Sequence, residues 1–224
     1  LTLSVDIVRH PRARRARLSI DPASGRVRLT LPPRVSETAG LRWAQQHQGW
    51  IDAQRALLPQ PRPLLPGAMV PFDDRVLTID WQEHRPRRVE WSGDQLIVGG
   101  PYEGLNRRLV AWLKRQALVV LSAETGEFAG LAGVTVSAVA VGDPRGRWGS
   151  CSSRGVIRYN WRLILAPAWV RRATVAHEVA HRVHMNHGPD FHALVARLYG
   201  ADPTPARQWL RREGTGLHWF GRES

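Results

Sequence analysis

Five consecutive residues in the C-terminal third of the chain, His177-Glu178-Val179-Ala180-His181, carry its clearest chemical signal. Histidines four positions apart lie one turn apart along a helix and about 40° apart around it. Their imidazoles can therefore converge on one divalent ion. Glu178 lies about 100° round from His177, off the axis of the ion yet near enough to reach a water held by it. Metal-assisted hydrolysis requires such a set: ligands that leave one coordination position open, and a carboxylate beside that position.

A catalytic zinc usually takes three protein ligands, and His184, His187 and His192 compete for the third place. His184 follows His181 by three residues on the same helix, so it approaches the ion from one side and crowds His181. His192 falls one turn into the following helix. His187 sits between Met185-Asn186 and Gly188-Pro189. Asparagine tolerates the left-handed conformation that ends a helix, and proline can start the next. That bend swings His187 back toward the pair, and the expected ligands are His177, His181 and His187. Trp169, Ala173, Ala176, Ala180 and Val183 recur at helical spacing and predict a buried stripe, which puts His177 and His181 at the border between core and cleft. The competing reading is two satisfied, partly buried histidines. The spacing 177, 181, 187 also equals that of the metzincin pattern. However, His184 stands where that pattern has glycine and no Met-turn is identifiable downstream, so a true metzincin is not expected.

The segments that must position these residues carry strings of their own. Arg147-Trp148-Gly149-Ser150-Cys151-Ser152 lies upstream, then Asn160-Trp161-Arg162-Leu163-Ile164-Leu165-Ala166-Pro167, and His184-Met185-Asn186-His187 precedes Phe191. Together with the histidine pair, these strings resemble the YgjP-like (DUF45) metallopeptidase family, related to the SprT and WLM zincins. The resemblance is dense from about 145 to 200 and weak over the N-terminal strands and the helix ending near Trp50-Ile51. It implies a minimal zincin core with Zn²⁺ held by His177, His181 and His187, and Glu178 as catalytic acid/base. One departure is His192, where a tryptophan commonly comes after the phenylalanine.

Gly155–Leu165 is expected to form a strand beside the metal helix and to offer its edge to an extended substrate. Arg158, Asn160 and His184 are candidates for polar substrate contacts, and Trp148 and Trp161 for walls of the cleft. The competing reading makes both tryptophans core residues. His184, Tyr159 and Arg158 are candidate oxyanion helpers. Cys151 has no adjacent His–Asp arrangement and reads as a packed small residue.

Alternation in Arg26-Val27-Arg28-Leu29-Thr30-Leu31 puts three apolar residues on one face. Strands are predicted over 3–8, 16–20 and 26–31, and a helix from Ser36 to about Leu58, with Trp50 and Ile51 inward. Prolines between 59 and 66 make a connector. A second antiparallel set covers 69–98, a long helix 103–128, strands 134–141 and 156–165, and helices 167–186, 189–199 and 203–213. The class is α+β: a β-rich, small antiparallel-sheet portion with one helix over 1–100, and a minimal zincin-like metallohydrolase domain over 101–224.

Lys and Arg number 32 against 19 Asp and Glu, a formal charge of +13. A hydrophobic content of 43% with ten tryptophans excludes a disordered chain. A single cysteine excludes an internal disulfide framework and a zinc site built on several thiolates. No apolar run is long enough to span a membrane, and no apolar stretch of the signal-peptide kind stands at the N-terminus, so a cytoplasmic location is expected. The expected function is zinc-dependent hydrolysis of a peptide or protein, with Glu178 as general base toward the water. The runner-up is a metal-dependent nucleoside triphosphate pyrophosphohydrolase, motivated by Arg147, Arg154, Arg158 and Arg162, since arginine forks suit phosphates. A third reading is a basic nucleic-acid-binding module with ancillary zinc. No nucleic-acid-binding motif supports it, and nucleic acid and membrane are not expected partners.

Overall fold

The computed structural model describes residues 5–222 and divides into two compact units, 1–60 and 61–224. In the first unit, β1 (Val5–Arg9), β2 (Arg17–Ile20) and β3 (Val27–Leu31) form a sheet in the order β1-β3-β2. Positions 3 and 4 of the predicted first strand lie outside the described residues. The alternation in β3 buries Val27, Leu29 and Leu31. The β2–β3 turn is held by Asp21, whose carboxylate accepts from the Ala23 amide at 3.0 Å and the Ser24 hydroxyl at 2.6 Å. The sheet is mixed rather than antiparallel. The tight hairpin gives one edge of β3 to β2, and β1 takes the other edge, where the two strands run parallel. The predicted single helix is two, α1 (Glu37–Gln46) and α2 (Gln48–Ala56). His47 departs from helical geometry between them, its Nδ1 lying 2.8 Å from the Trp43 carbonyl. Ile51 is buried as expected, whereas Trp50 is exposed.

The second unit starts with β4 (Met69–Phe72), β5 (Arg75–Gln82), β6 (Val89–Ser92) and β7 (Gln95–Gly99). Their order is β4-β5-β7-β6, with β5 and β7 parallel. Val70, Phe72, Leu77, Ile79, Leu96 and Val98 share one core with Leu105, Leu109, Trp112, Leu121 and Phe128 of the 28-residue helix α3 (Leu105–Ala132). That shared core explains why the division falls after residue 60 rather than after residue 100: the strands over 69–99 and α3 bury their apolar faces in one interior.

A third sheet holds β8 (Ala138–Gly142), β9 (Gly149–Cys151) and β10 (Val156–Asn160). β10 is central, parallel to β8 and antiparallel to β9. The predicted strand to Leu165 stops at Asn160, whose Oδ1 accepts from the Arg162 amide at 2.9 Å and opens a 3₁₀ turn over Trp161–Leu165. Then come α4 (Ala168–Ala180), α5 (Pro189–Tyr199) and α6 (Thr204–Leu217). α4 ends at Ala180, well short of the predicted 186, and Trp169 and Val183 are exposed, which narrows the buried stripe to Ala173, Ala176 and Ala180. Six α-helices and three mixed sheets among the described residues make the class α+β. No described helix is long and apolar enough to cross a membrane.

Candidate metal centre

The first amides of a helix have no partner within it, and α4 receives one from another element. Asp73 and Asp74 make the β4–β5 turn with φ of 47° and 61°, the left-handed conformation that a two-residue hairpin turn demands and that aspartate tolerates. Asp74 then accepts from the Ala168 amide at 2.8 Å. Asp73 accepts from Arg171 Nη2 at 2.6 Å. Arg171, buried in α4, also donates through Nε and Nη2 to the buried Glu124 of α3 at 2.9–3.1 Å. Burial works against the charge on Arg171, but bonds to Glu124 and Asp73 outweigh it and hold the guanidinium above its ordinary pKa. The helix bearing His177 is thus fixed to α3 and to the hairpin turn.

At its other end α4 delivers His177 from its last turn and His181 as its C-terminal cap. The turn over 181–188 brings His187 back, and one ring nitrogen from each of the three histidines lies within 4.8 Å of the others. The Nε2 atoms of His177 and His187 are 3.3 Å apart. Two nitrogens on a tetrahedral zinc, each at about 2.0–2.1 Å, stand about 3.3–3.4 Å from one another, so this pair fits such an ion. His181 Nδ1 donates to the His184 carbonyl at 3.1 Å, which leaves its Nε2 with a lone pair. His184 therefore serves through its backbone. Phe191, fully buried at the start of α5, supports all three rings. It stacks on His181 at 4.6 Å and meets His177 at 4.9 Å and His187 at 4.7 Å edge-on. Burial, then repulsion from His181 and His187, pushes His177 down to about 4, so its imidazole is neutral near pH 7.

Glu178 is 6% exposed and lies against the edge strand β9. A Cβ placed on Gly149 would come within 2.4 Å of its Oε1, so only glycine leaves room for the carboxylate. Burial pushes the Glu178 carboxyl up to about 7, with Arg147 pulling the other way. A cleft of about 260 Å³ opens beside it, lined by Trp148, His177, Glu178 and His192 among others.

Of the residues predicted to contact substrate, Trp148 lines the cleft, its ring 5.0 Å from that of His218. The others do not. Arg158 is exposed on β10, where it pairs with Ser150, and does not line the cleft. Asn160 is fully buried and spends its side chain on the Pro144 carbonyl and the Arg162 amide. Trp161 and Tyr159 belong to the core, the Tyr159 hydroxyl lying 2.9 Å from that of Thr125. β10 is flanked on both sides, so the edge beside Glu178 belongs to β9. Among the four arginines thought to surround the cleft, only Arg147 lines it; Arg162 is buried against Asp143. Burial pushes the Cys151 thiol up, which disfavours a nucleophile. Arg207, contributed to the cleft by α6, has no sequence signal tying it to residues thirty positions earlier.

A family model described as YgjP-like, metallopeptidase domain, matches residues 14–213. No curated protein and no solved structure matches the chain.

Proposed function

The chain belongs to the YgjP-like family, whose model describes a metallopeptidase domain, and from that premise we propose that it is a zinc-dependent peptidase of minimal zincin type. His177, His181 and His187 hold the ion, and Glu178 is the general base. One observation supports this reading above all: three imidazole nitrogens converge, and one of the three rings, that of His177, lines a cleft that also contains a buried carboxylate. An all-imidazole set with room for a further ligand suits zinc.

When bound, zinc supplies Lewis acidity that lowers the pKa of water to about 7 and polarises a scissile carbonyl. Glu178 accepts a proton from the attacking water and passes it to the leaving amine. Burial against Gly149 raises the Glu178 carboxyl, which strengthens it as a base toward water. The Nδ1 bond of His181 to the His184 carbonyl fixes the tautomer that ligation needs. The free edge of β9 offers backbone groups to an extended substrate beside the acid. Peptide hydrolysis is better supported than nucleotide hydrolysis, because the arginines that motivated the latter do not gather at the cleft.

Metal analysis of the purified protein tests the ligands: each of His177→Ala, His181→Ala and His187→Ala should lower zinc affinity by at least about 100-fold. Glu178→Gln should keep the metal and lose peptide turnover; unaltered turnover would remove Glu178 from the mechanism. Pyrophosphate release from nucleoside triphosphates without cleavage of any peptide would overturn the peptidase reading.

A further inference from the structure

The walls of the cleft state what kind of peptide suits it. Val195 of α5 with Pro203, Ala206 and Leu210 at α6 give the cleft an apolar lining. The volume of about 260 Å³ accommodates one large apolar side chain. Two guanidinium groups also line it: Arg147, just before β9, and Arg207, on α6. Both are exposed. The Arg147 guanidinium has no hydrogen bond or ion pair among the described residues, and that of Arg207 donates only to the Thr204 hydroxyl at 3.1 Å. Among the described residues Glu178 is the one carboxylate lining the cleft, and it is buried. Both cations are close enough to the centre to act on it electrostatically, Arg147 on Glu178 and Arg207 on His177. The cleft therefore combines an apolar socket with two fork-shaped cations, neither held in a direct ion pair, although Glu178 feels the charge of Arg147 and the exposed Asp202 that of Arg207. Guanidinium forks match carboxylates in geometry and charge.

Resting on the peptidase reading above, we infer that the cleft selects peptides with a large apolar residue beside the scissile bond and a carboxylate adjoining it, held by Arg147 and Arg207. The carboxylate has two possible sources, the chain terminus of the apolar residue itself or the acidic side chain of the next residue.

Three fluorescein-labelled probes separate them: Ala-Ala-Ala-Leu as the free acid, the same peptide as its C-terminal amide, and Ala-Ala-Ala-Leu-Glu as its C-terminal amide. Binding is read by anisotropy on the zinc-loaded Glu178→Gln protein, and cleavage on the unaltered enzyme. A charge-assisted pair lost at a partly exposed site weakens binding about tenfold. One of the two carboxylate-bearing probes should thus bind about tenfold tighter than the neutral amide, and which one it is identifies the source. In the Arg147→Ala, Arg207→Ala double variant this ratio should fall below about twofold. Equal binding of all three probes, no binding of any, or a ratio that survives the double substitution would overturn the inference. Discrimination in binding without cleavage would sink the peptidase reading and leave only the recognition of a carboxylate by Arg147 and Arg207 standing, and cleavage without discrimination would sink that recognition and leave the peptidase reading.

Discussion

Arg171→Met removes the guanidinium at the junction of the β4–β5 turn, α3 and α4. Arg171 is 3% exposed and Glu124, its partner, 7%, so water replaces neither. Removing one member of a buried ion pair costs about 3–5 kcal/mol, most of it the stranded charge. Arg171 Nη1 is itself buried without a partner, and its loss relieves that orphan, which places the cost near the lower end, about 3 kcal/mol. For a unit of this size the melting temperature should fall on the order of 10 °C. Burial already pushes the Glu124 carboxyl above its ordinary range with Arg171 in place, and without Arg171 it rises further. A carboxyl whose folded pKa exceeds its unfolded one favours folding below the unfolded value and loses that contribution as pH climbs through the folded value. The defect should therefore be smaller at pH 5 than at pH 8. Adding Glu124→Leu removes the stranded acid, and most of the stability should return, because an apolar pair of similar volume roughly matches a buried ion pair. Thermal unfolding monitored by circular dichroism at both pH values measures all of this. A single variant melting within about 2 °C of the parent, or a double variant no better than the single, would refute the reasoning.

Other substitutions test the site directly. Gly149→Ala puts a methyl group where Glu178 Oε1 lies; turnover should drop at least tenfold with zinc content unchanged, as read by steady-state kinetics beside metal analysis. His184→Ala should leave zinc affinity within about threefold, since only its carbonyl serves the centre, and a loss matching that of His187→Ala would show its ring to be a ligand. In the metal-free protein two titrations oppose each other: Glu178, raised to about 7, erodes stability as pH climbs from 4.5, while His177, lowered to about 4, adds stability as pH climbs to 6.5. Glu178→Gln leaves only the second of these two, so in urea denaturation the rise in stability from pH 4 to 6.5 should be larger by roughly 2–3 kcal/mol in Glu178→Gln than in the Glu178→Gln, His177→Ala double variant; equal rises would contradict the burial of His177. Asp74→Ala removes the acceptor for the Ala168 amide and should cost about 1 kcal/mol in the same measurement.

The convergence of His177, His181 and His187 was legible because it is local: helical spacing sets the first two, and the turn over 181–188 returns the third, although that turn begins at Ala180 and Asn186 does not take the left-handed conformation expected of it. β3 was legible for the same reason, its alternation being a short-range pattern that burial rewards. Errors arose where partners distant in the sequence decide. Nothing near Asn160 announces that Pro144 will take its amide, so a buried turn former read as a substrate contact. The apolar run through Trp161 and Leu165 suits a strand or a buried 3₁₀ turn equally, and the Asn160 cap chose the turn. α4 stops at Ala180, where periodicity would have continued it, and the turn that follows is tied by the His181 ring to the His184 carbonyl, a contact no helical pattern announces. The Asp73–Asp74 turn and its ties to Ala168 and Arg171 span nearly a hundred residues, beyond the reach of any local pattern. Arg207 enters the cleft by the same kind of long-range packing.

Phe191 belongs to the apolar interior yet touches every one of the three imidazoles. The entropy lost in gathering those rings is therefore met when α5 docks, not when an ion arrives. A nest assembled in advance differs from zinc-finger modules, which collapse once stripped of their ion. Treated with a chelator, this protein should stay upright and accept a fresh ion without refolding, so loading and emptying become events of its finished state, open to exchange throughout its lifetime.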